Sequence, residues 1–163
     1  MITKNYSQKK FQYFKVSPPL PADRHFELVV SKLNKEFAIL LHDDDIVDPR
    51  FINEMFKTIK QDNAVAVGCN AKIFNKNIQD SKKNTHGFDK PKRFNNEKNF
   101  LSQYLPGNKG NAPYPSYIYR TKYLKKAFLK IPIKGKHSDV AMLSSLLSFG
   151  EILWLEKILM YYR

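Results

Sequence analysis

At Phe37-Ala38-Ile39-Leu40-Leu41-His42-Asp43-Asp44-Asp45, an apolar run of the chain ends abruptly in three carboxylates. A short apolar run before a polar break predicts a buried strand, and strands of an open α/β sheet present their carboxyl ends to the crevice where ligands bind. Three adjacent acids repel one another unless a cation or hydrogen-bond donors neutralise them. Two interpretations therefore stand at this point: a site for a divalent cation and a phosphate, or a solvated acidic turn before the next helix.

Helices and strands alternate on both sides of this predicted strand. Apolar residues recur at helical spacing over 23–34 and again after Asp48-Pro49, which we interpret as the N-cap and first residue of a helix that runs to Lys60. Further strands are predicted at 11–16, 64–68, 117–119 and, as two strands or one bent strand, 151–162, with helices at 121–129 and 138–150. This order predicts a mixed α/β domain whose open, mainly parallel sheet is flanked by helices.

Size and composition limit the classes of protein to consider. The 163 residues fit one domain with a substantial core, and 42% hydrophobic residues exclude a disordered chain. A single cysteine, Cys69, excludes an internal disulfide framework, and we expect its thiol to be buried. No apolar run approaches the ~20 residues of a membrane span, and the first residues lack an apolar signal core, so a cytoplasmic location is expected.

Positive charge is concentrated in one part of the chain. Residues 72–136 contain 16 lysines and arginines against 3 acidic residues, which accounts for the whole net charge of +13. Within them, 72–112 has few apolar residues and is predicted to be a long basic loop or insertion. The positive electrostatic potential of this segment favours anionic partners, including a nucleotide diphosphate, an acidic glycan or nucleic acid. The anionic surface of a membrane is a further candidate, to which the protein would bind peripherally. The alternative is a solvated lysine-rich loop that keeps the protein in solution.

Three blocks of the chain, in order, resemble the family-2 glycosyltransferases, which have a GT-A fold. The first, 37–52, contains the strand, a DxD-type acidic motif and a proline-led helix. The second, 117–124, is a strand followed by a turn that begins at Arg120. The third combines Ser138-Asp139, a leucine-rich helix that ends at Gly150, and the closing Tyr161-Tyr162-Arg163. The resemblance covers 23–163 and implies a Rossmann-like, GT-A-like sheet.

The resemblance also implies a reaction: transfer of a sugar, with inversion, from a nucleotide-diphosphate donor to a glycan or lipid-linked acceptor, with Mg²⁺ or Mn²⁺ as cofactor. Asp45 matches the carboxylate that binds the metal, and Asp43 matches the first acid of the motif, which faces the metal or the donor's ribose. Asp44 and Arg120 are assigned to donor binding. Asp139 matches the general base that takes the acceptor's proton, although the residue pattern alone also fits an acid that complements a helix dipole.

One part of the family pattern has no counterpart in the sequence. Members of the family begin with a further strand, helix and strand that hold the donor's base, before the strand matched by 11–16. The missing βαβ unit amounts to on the order of 30 residues. The resemblance therefore implies a sheet truncated on its N-terminal side, reduced activity, and an open edge that would pair with a second copy or a partner chain.

Two other functional classes remain open. One is a non-catalytic anion-binding or assembly module that retains the fold without donor binding. The other is a basic nucleic-acid-binding protein, in which Phe88, Phe94 and Phe100 of the basic segment would stack on bases. Nucleic acid is the less favoured partner, because it explains neither the acidic cluster nor Asp139. His42 is a further candidate metal ligand, although a histidine at a strand end more often has a structural role.

Overall fold

The computed structural model describes residues 13–81, 85–104, 114–130 and 138–163. Within these ranges, an open sheet of seven strands is flanked by helices, and the predicted mixed α/β architecture is confirmed. The helices are α1 (Ala22–Lys32), α2 (Phe51–Gln61), α3 (Glu97–Tyr104), α4 (Thr121–Lys130) and α5 (Ser138–Leu146). The strands are β1 (Phe37–Ile39), β2 (Ile46–Val47), β3 (Ala66–Ile73), β4 (Thr85–His86), β5 (Lys92–Phe94), β6 (Tyr117–Arg120) and β7 (Ile152–Tyr162).

The strands follow the order β1-β6-β3-β7-β2, with β4 beside β3 and β5 beside β7. The expectation of a mainly parallel sheet is wrong for the strand pairs: among the described strands, only β3 and β7 pair in parallel. Because β6 lies between β1 and β3 and is antiparallel to both, these two strands still point the same way. A buried strand is an apolar run in the sequence whether it is parallel or antiparallel to its neighbours. The apolar pattern alone therefore did not reveal that β6 is antiparallel to β1 and β3.

The centre of the sheet is closely packed around the β3–β7 pair. Gly68 of β3 lies between two fully buried rings, and a Cβ atom at this position would be 2.6 Å from the Tyr117 ring and 2.7 Å from the Trp154 ring. Only glycine permits this approach. Trp154 is fully buried, the Cys69 thiol is buried as predicted, and burial raises the pKa of that thiol to about 12.

An irregularity interrupts the pairing of β3 with β7 on both sides of Asn70. The buried Asn70 amide donates hydrogen bonds to the carbonyl oxygens of Phe88 (2.7 Å) and Glu156 (2.8 Å). Its oxygen accepts from the Phe88 N–H (2.9 Å) and from the Trp154 indole N–H (2.6 Å). Asn70 therefore supplies the partners that the disrupted ladder lacks, and the two closing segments form one strand, β7, that runs unbroken over Ile152–Tyr162.

The basic segment is more ordered than its composition indicates. The expected loop at 72–112 contains the end of β3, the strands β4 and β5, and α3, with 82–84 and 105–112 outside the described residues. Phe88, Phe94 and Phe100 are buried, and the Phe88 ring lies edge-on to Trp154 with centroids 5.6 Å apart. A few large aromatic residues thus anchor a stretch that is otherwise polar. Since these rings are not exposed, they do not form the stacking platform that a nucleic-acid-binding surface requires.

Two smaller predictions also change. Residues 13–16 do not form a strand, and Tyr13 is 75% exposed; residues 11 and 12 lie outside the described part. The helix after the acidic cluster begins at Phe51, two residues later than predicted, because the Asp48 carboxylate accepts a hydrogen bond from the Arg50 N–H (2.9 Å) in a turn before the helix. In the described ranges, no helix has the length and apolar composition needed to cross a bilayer.

Candidate functional site

The acidic cluster lies in the turn between β1 and β2, at the end of the sheet to which β1 points. The pairing of β2 with β7 sets Ile46 opposite Tyr161, so Asp45 lies beside the end of β7. The Arg163 backbone N–H donates a hydrogen bond to Asp45 Oδ1 (3.3 Å). The structure therefore joins the acidic cluster to the closing Tyr161-Tyr162-Arg163, more than a hundred residues later in the chain.

Asp45 is the least exposed acid of the cluster, with a side chain that is 1% exposed. Its Oδ2 atom is buried and has no hydrogen-bond partner at normal distance among the described residues. The His42 ring lies beside this oxygen, with its Nδ1 3.4 Å away. Burial raises the pKa of the Asp45 carboxyl, and the Arg163 N–H opposes part of that effect. A buried carboxylate oxygen without a donor is a suitable ligand for a cation.

Three side chains converge around this oxygen. One potential ligand atom from each of His42, Asp44 and Asp45 lies within 4.8 Å of the others. Carboxylate oxygens suit Mg²⁺, and a mixed set with an imidazole nitrogen also suits Mn²⁺. The other nitrogen of His42 is in hydrogen-bond contact with the Tyr114 hydroxyl, which fixes the ring's orientation. Asp43, assigned to the metal from the sequence, is exposed and does not belong to this group.

Asp139 lies in the first turn of α5, where its carboxylate complements the helix dipole. The side chain is half-buried, and its Oδ2 accepts a hydrogen bond from the Tyr104 hydroxyl (3.2 Å). Asp139 also lines a small, mostly apolar pocket together with Leu40, Tyr114 and Phe128. The pocket brings the first turn of α5 against the apolar run that precedes the acidic cluster.

Two tyrosines connect the acidic cluster to Asp139. Burial raises the pKa of the Tyr114 hydroxyl most. The negative charge of Asp139 raises it further, and that of Asp45 adds a smaller effect. The pKa of Tyr162 is raised by burial and by the same two carboxylates. Asp45 and Asp139, 94 positions apart in the sequence, are thus linked through Tyr114, which contacts His42 beside Asp45 and lines the pocket of Asp139. Tyr114 carried no signal in the sequence, whereas Tyr162 belonged to the closing block of the family resemblance.

Arg120 lies elsewhere. It pairs with Phe37 at the start of β1, whereas the acids follow the end of that strand. Its guanidinium donates to the backbone carbonyl oxygens of Ile59 (2.9 Å), Asp62 (2.8 Å) and Ala64 (3.0 Å). The structure therefore does not bring Arg120 to the acidic cluster; it gives this arginine a role at the end of α2.

No protein-family model and no curated protein matches the sequence, but solved structures resemble the fold. S. aureus TarS 1-349, a glycosyltransferase, matches 83% of this chain with a TM-score of 0.59 and 16% identity. Its complex with UDP-GlcNAc gives the same TM-score and identity, and its complex with UDP gives 0.58 and 15%. The chain spans 36–38% of the length of these structures. At this level of identity the likeness concerns the fold alone, and that fold is glycosyltransferase-like.

Proposed function

We propose that the chain is part of an inverting, metal-dependent glycosyltransferase that transfers a sugar from a nucleoside-diphosphate donor to a glycan or lipid-linked acceptor. The observation that carries the proposal is the link between the two carboxylates through Tyr114, which contacts His42 beside Asp45 and lines the pocket of Asp139. A displacement of this kind needs neutralisation of a diphosphate at one point and a proton acceptor at another. The family resemblance assigns these two tasks to these two carboxylates.

His42, Asp44 and Asp45 would hold Mg²⁺ or Mn²⁺, because their ligand atoms already lie together and Asp45 Oδ2 lacks a donor. When bound, the cation supplies positive charge beside the diphosphate leaving group. Tyr114 holds the His42 ring from behind and so keeps one ligand oriented. In this proposal Asp43 stays at the surface of the turn and contributes general negative charge.

Asp139 would act as the general base. The hydrogen bond from Tyr104 occupies Oδ2 and orients the carboxylate, and Oδ1 takes the proton of the acceptor hydroxyl. The acceptor oxygen forms its new bond to the anomeric carbon of the sugar as the bond to the nucleoside diphosphate breaks. The apolar pocket beside Asp139 limits water near the base. The TarS complexes make UDP and UDP-GlcNAc the first nucleotides to test.

The first test measures nucleotide and metal binding by calorimetry. We expect UDP to bind in the presence of Mn²⁺ and to lose most of its affinity, by at least about tenfold, in Asp45→Asn, since that change removes the buried ligand. Asp43→Asn is expected to lower the affinity less than about threefold, because Asp43 only contributes a screened surface charge. Asp89→Asn, an identical change of charge at an exposed position between β4 and β5, is the matched control.

Two results would contradict the proposal. The first is the absence of metal-dependent binding for UDP, GDP, ADP and their sugar derivatives, which would favour a non-catalytic module. The second is an equal loss of affinity in Asp45→Asn and Asp89→Asn, since binding would then depend on overall charge. If binding is found, Asp139→Asn should retain it while losing transfer, because the base acts after the donor is bound.

A further inference from the structure

α1 and α4 pack side by side, and their outer side forms a surface that the proposed reaction does not use. We call it the α1–α4 surface. Lys125 Nζ ties the two helices together by donating to the Ser31 carbonyl oxygen (3.0 Å). On α4, exposed and half-buried side chains recur at one-turn spacing: Lys122, Lys125, Lys126 and Leu129. This pattern, with lysines and an apolar residue on one outward stripe, is that of an amphipathic helix at an interface.

One part of this surface is a basic pocket. It lies between the α1–β1 connection and the start of α4, and its lining includes Lys35, Lys122 and Lys125. Glu36, the acid in the lining, already has two cationic neighbours: Arg120, which also lines the pocket, at 3.6 Å, and Lys60 at 3.9 Å. The lysines of the pocket therefore present an excess of positive charge to a ligand from solution.

The other part is an apolar groove that adjoins the basic pocket and shares Lys125 with it. Val30, Phe128 and Leu129 line the groove, and Leu129 is 88% exposed. Glu27 at the groove's edge pairs with Arg24 at 2.8 Å. An apolar groove continuous with a lysine-lined pocket has the two chemistries of a phospholipid, an acyl region and a phosphate.

We propose that the α1–α4 surface binds the surface of an anionic phospholipid bilayer. Lys32, Lys35, Lys122, Lys125 and Lys126 would face the lipid phosphates, and Leu129 would insert among the acyl chains. Clusters of four or more lysines beside exposed apolar residues favour anionic lipid, because each charge near such a surface adds to the attraction. The alkyl stems of the lysines can lie along the apolar groove while their ammonium groups reach the phosphates.

The charges of the same surface argue against a second copy of the chain as the occupant. A twofold interface would place these lysines against their own copies, and like charges brought together in an interface are unfavourable. Nucleic acid would share the phosphate chemistry but would not use an 88%-exposed leucine or the apolar groove. A bilayer accounts for both parts of the surface.

The test measures co-sedimentation of the full chain with vesicles of phosphatidylcholine alone and of phosphatidylcholine mixed with phosphatidylglycerol. We expect binding to the mixed vesicles that weakens with added salt. The double variant Lys35→Gln/Lys122→Gln should bind the mixed vesicles on the order of tenfold more weakly. The affinity of Leu129→Ser for the same vesicles should also fall several-fold. The matched controls are Lys76→Gln/Lys98→Gln, two exposed lysines outside α1 and α4, and Ile52→Ser, an exposed apolar residue of α2.

Three results would overturn the proposal. The first is the absence of binding to the anionic vesicles. The second is an equal loss of vesicle affinity in Lys35→Gln/Lys122→Gln and Lys76→Gln/Lys98→Gln. The third is an unchanged vesicle affinity in both Leu129→Ser and Lys35→Gln/Lys122→Gln. Binding to a short oligonucleotide that is lost with Lys35→Gln/Lys122→Gln, without vesicle binding, would reassign the surface to nucleic acid. None of these readouts depends on transferase activity, so the outcome is independent of the proposed function.

Discussion

The side chain of Asn70 joins three parts of the chain at the irregularity between β3 and β7. It satisfies both backbone polar groups of Phe88, the carbonyl of Glu156 and the indole of Trp154. The hydrogen bonds to Phe88 and Trp154 are buried, and the one to Glu156 is partly buried. A buried amide that makes all four of its hydrogen bonds fixes the local arrangement more strictly than apolar packing does.

We expect Asn70→Ala to lower the free energy of unfolding by at least about 3 kcal/mol, because it leaves several buried donors and acceptors without partners. The measurement is urea denaturation followed by tryptophan fluorescence, since Trp154 reports on the same region. Asn95→Ala, an exposed asparagine between β5 and α3, is the control and should change stability by less than about 0.5 kcal/mol. Similar losses in the two variants would contradict this account of Asn70.

At the candidate site, the family resemblance directs attention to the carboxylates, whose roles stay predictions, but not to the side chains that contact them. Asp45 and Asp139 stand in motifs that a family resemblance identifies. The hydrogen bonds that hold Tyr104 to Asp139 and Tyr114 to His42 join residues that are 35 and 72 positions apart. Such contacts depend on how the elements pack, and no periodicity or local motif encodes them. The contacts of Arg120 with the backbone at the end of α2 have the same long-range origin.

At the scale of elements, Arg120 shows how one strand end can complete a helix. The last carbonyl groups of α2 have no partners within the helix, and the guanidinium of Arg120 reaches one of them, at Ile59, and the carbonyl of Asp62, the residue that caps the helix. The positive charge also complements the negative end of the helix dipole. β6 and α2 are therefore joined through a single side chain that is largely buried.

We expect Arg120→Met to lower the free energy of unfolding by about 2–3 kcal/mol, because three carbonyl groups lose a charged donor. UDP affinity, measured on the folded fraction, should stay within about threefold of the unmodified protein, since Arg120 lies at the other end of β1. Arg120→Lys, which keeps the charge but not the fork of donors, should lose an intermediate amount of stability. A large loss of UDP affinity with unchanged stability would instead restore the donor-binding role.

The elements themselves were predictable where apolar residues repeat with a clear period. α1, α2, α4 and α5 lie close to their predicted ranges, and so do β1 and β6. Periodicity did not reveal the order in 72–112, because that order comes from widely spaced aromatic residues: Phe88, Phe94 and Phe100 each bury a large ring in a stretch with few other apolar residues. The direction of each strand could not be predicted from its residues. The burial of a strand determines its amino-acid composition, whereas the connections between strands determine its direction.

At the scale of the whole molecule, Arg93 links the basic segment to the rest of the domain. Its guanidinium contacts the Asp62 carboxylate beyond α2 (2.6 Å) and the Glu151 carboxylate before β7 (2.8 Å). The hydrogen bond from Arg93 is the main reason that the pKa of Asp62 lies below its usual 3.8. The arginine thereby connects three segments that are distant in sequence, through a partly exposed network.

The Arg93 network predicts a pH dependence of stability. A carboxyl whose pKa is lower in the folded state stabilises the fold above its unfolded pKa, and the contribution is lost as the pH falls through the folded pKa. Arg93→Gln should therefore be less stable by about 1 kcal/mol or less near neutral pH, because the arginine is 44% exposed. The unfolding curves of the two proteins should converge as the pH falls below 3.8.

The measurement is urea denaturation over a pH series, with Lys98→Gln, an exposed lysine of α3, as the control for a change of net charge. A difference between Arg93→Gln and the unmodified protein that stays constant down to the lowest pH would exclude the ion pair as its source.

Phe128 lines both the apolar groove of the α1–α4 surface and the pocket beside Asp139. One aromatic ring thus separates the proposed bilayer contact from the proposed base. With the protein resting on a membrane, an acceptor anchored in that membrane would reach Asp139 by lateral diffusion in two dimensions. Encounter rates would then follow the density of the acceptor in the bilayer, and its concentration per volume of solution would matter little.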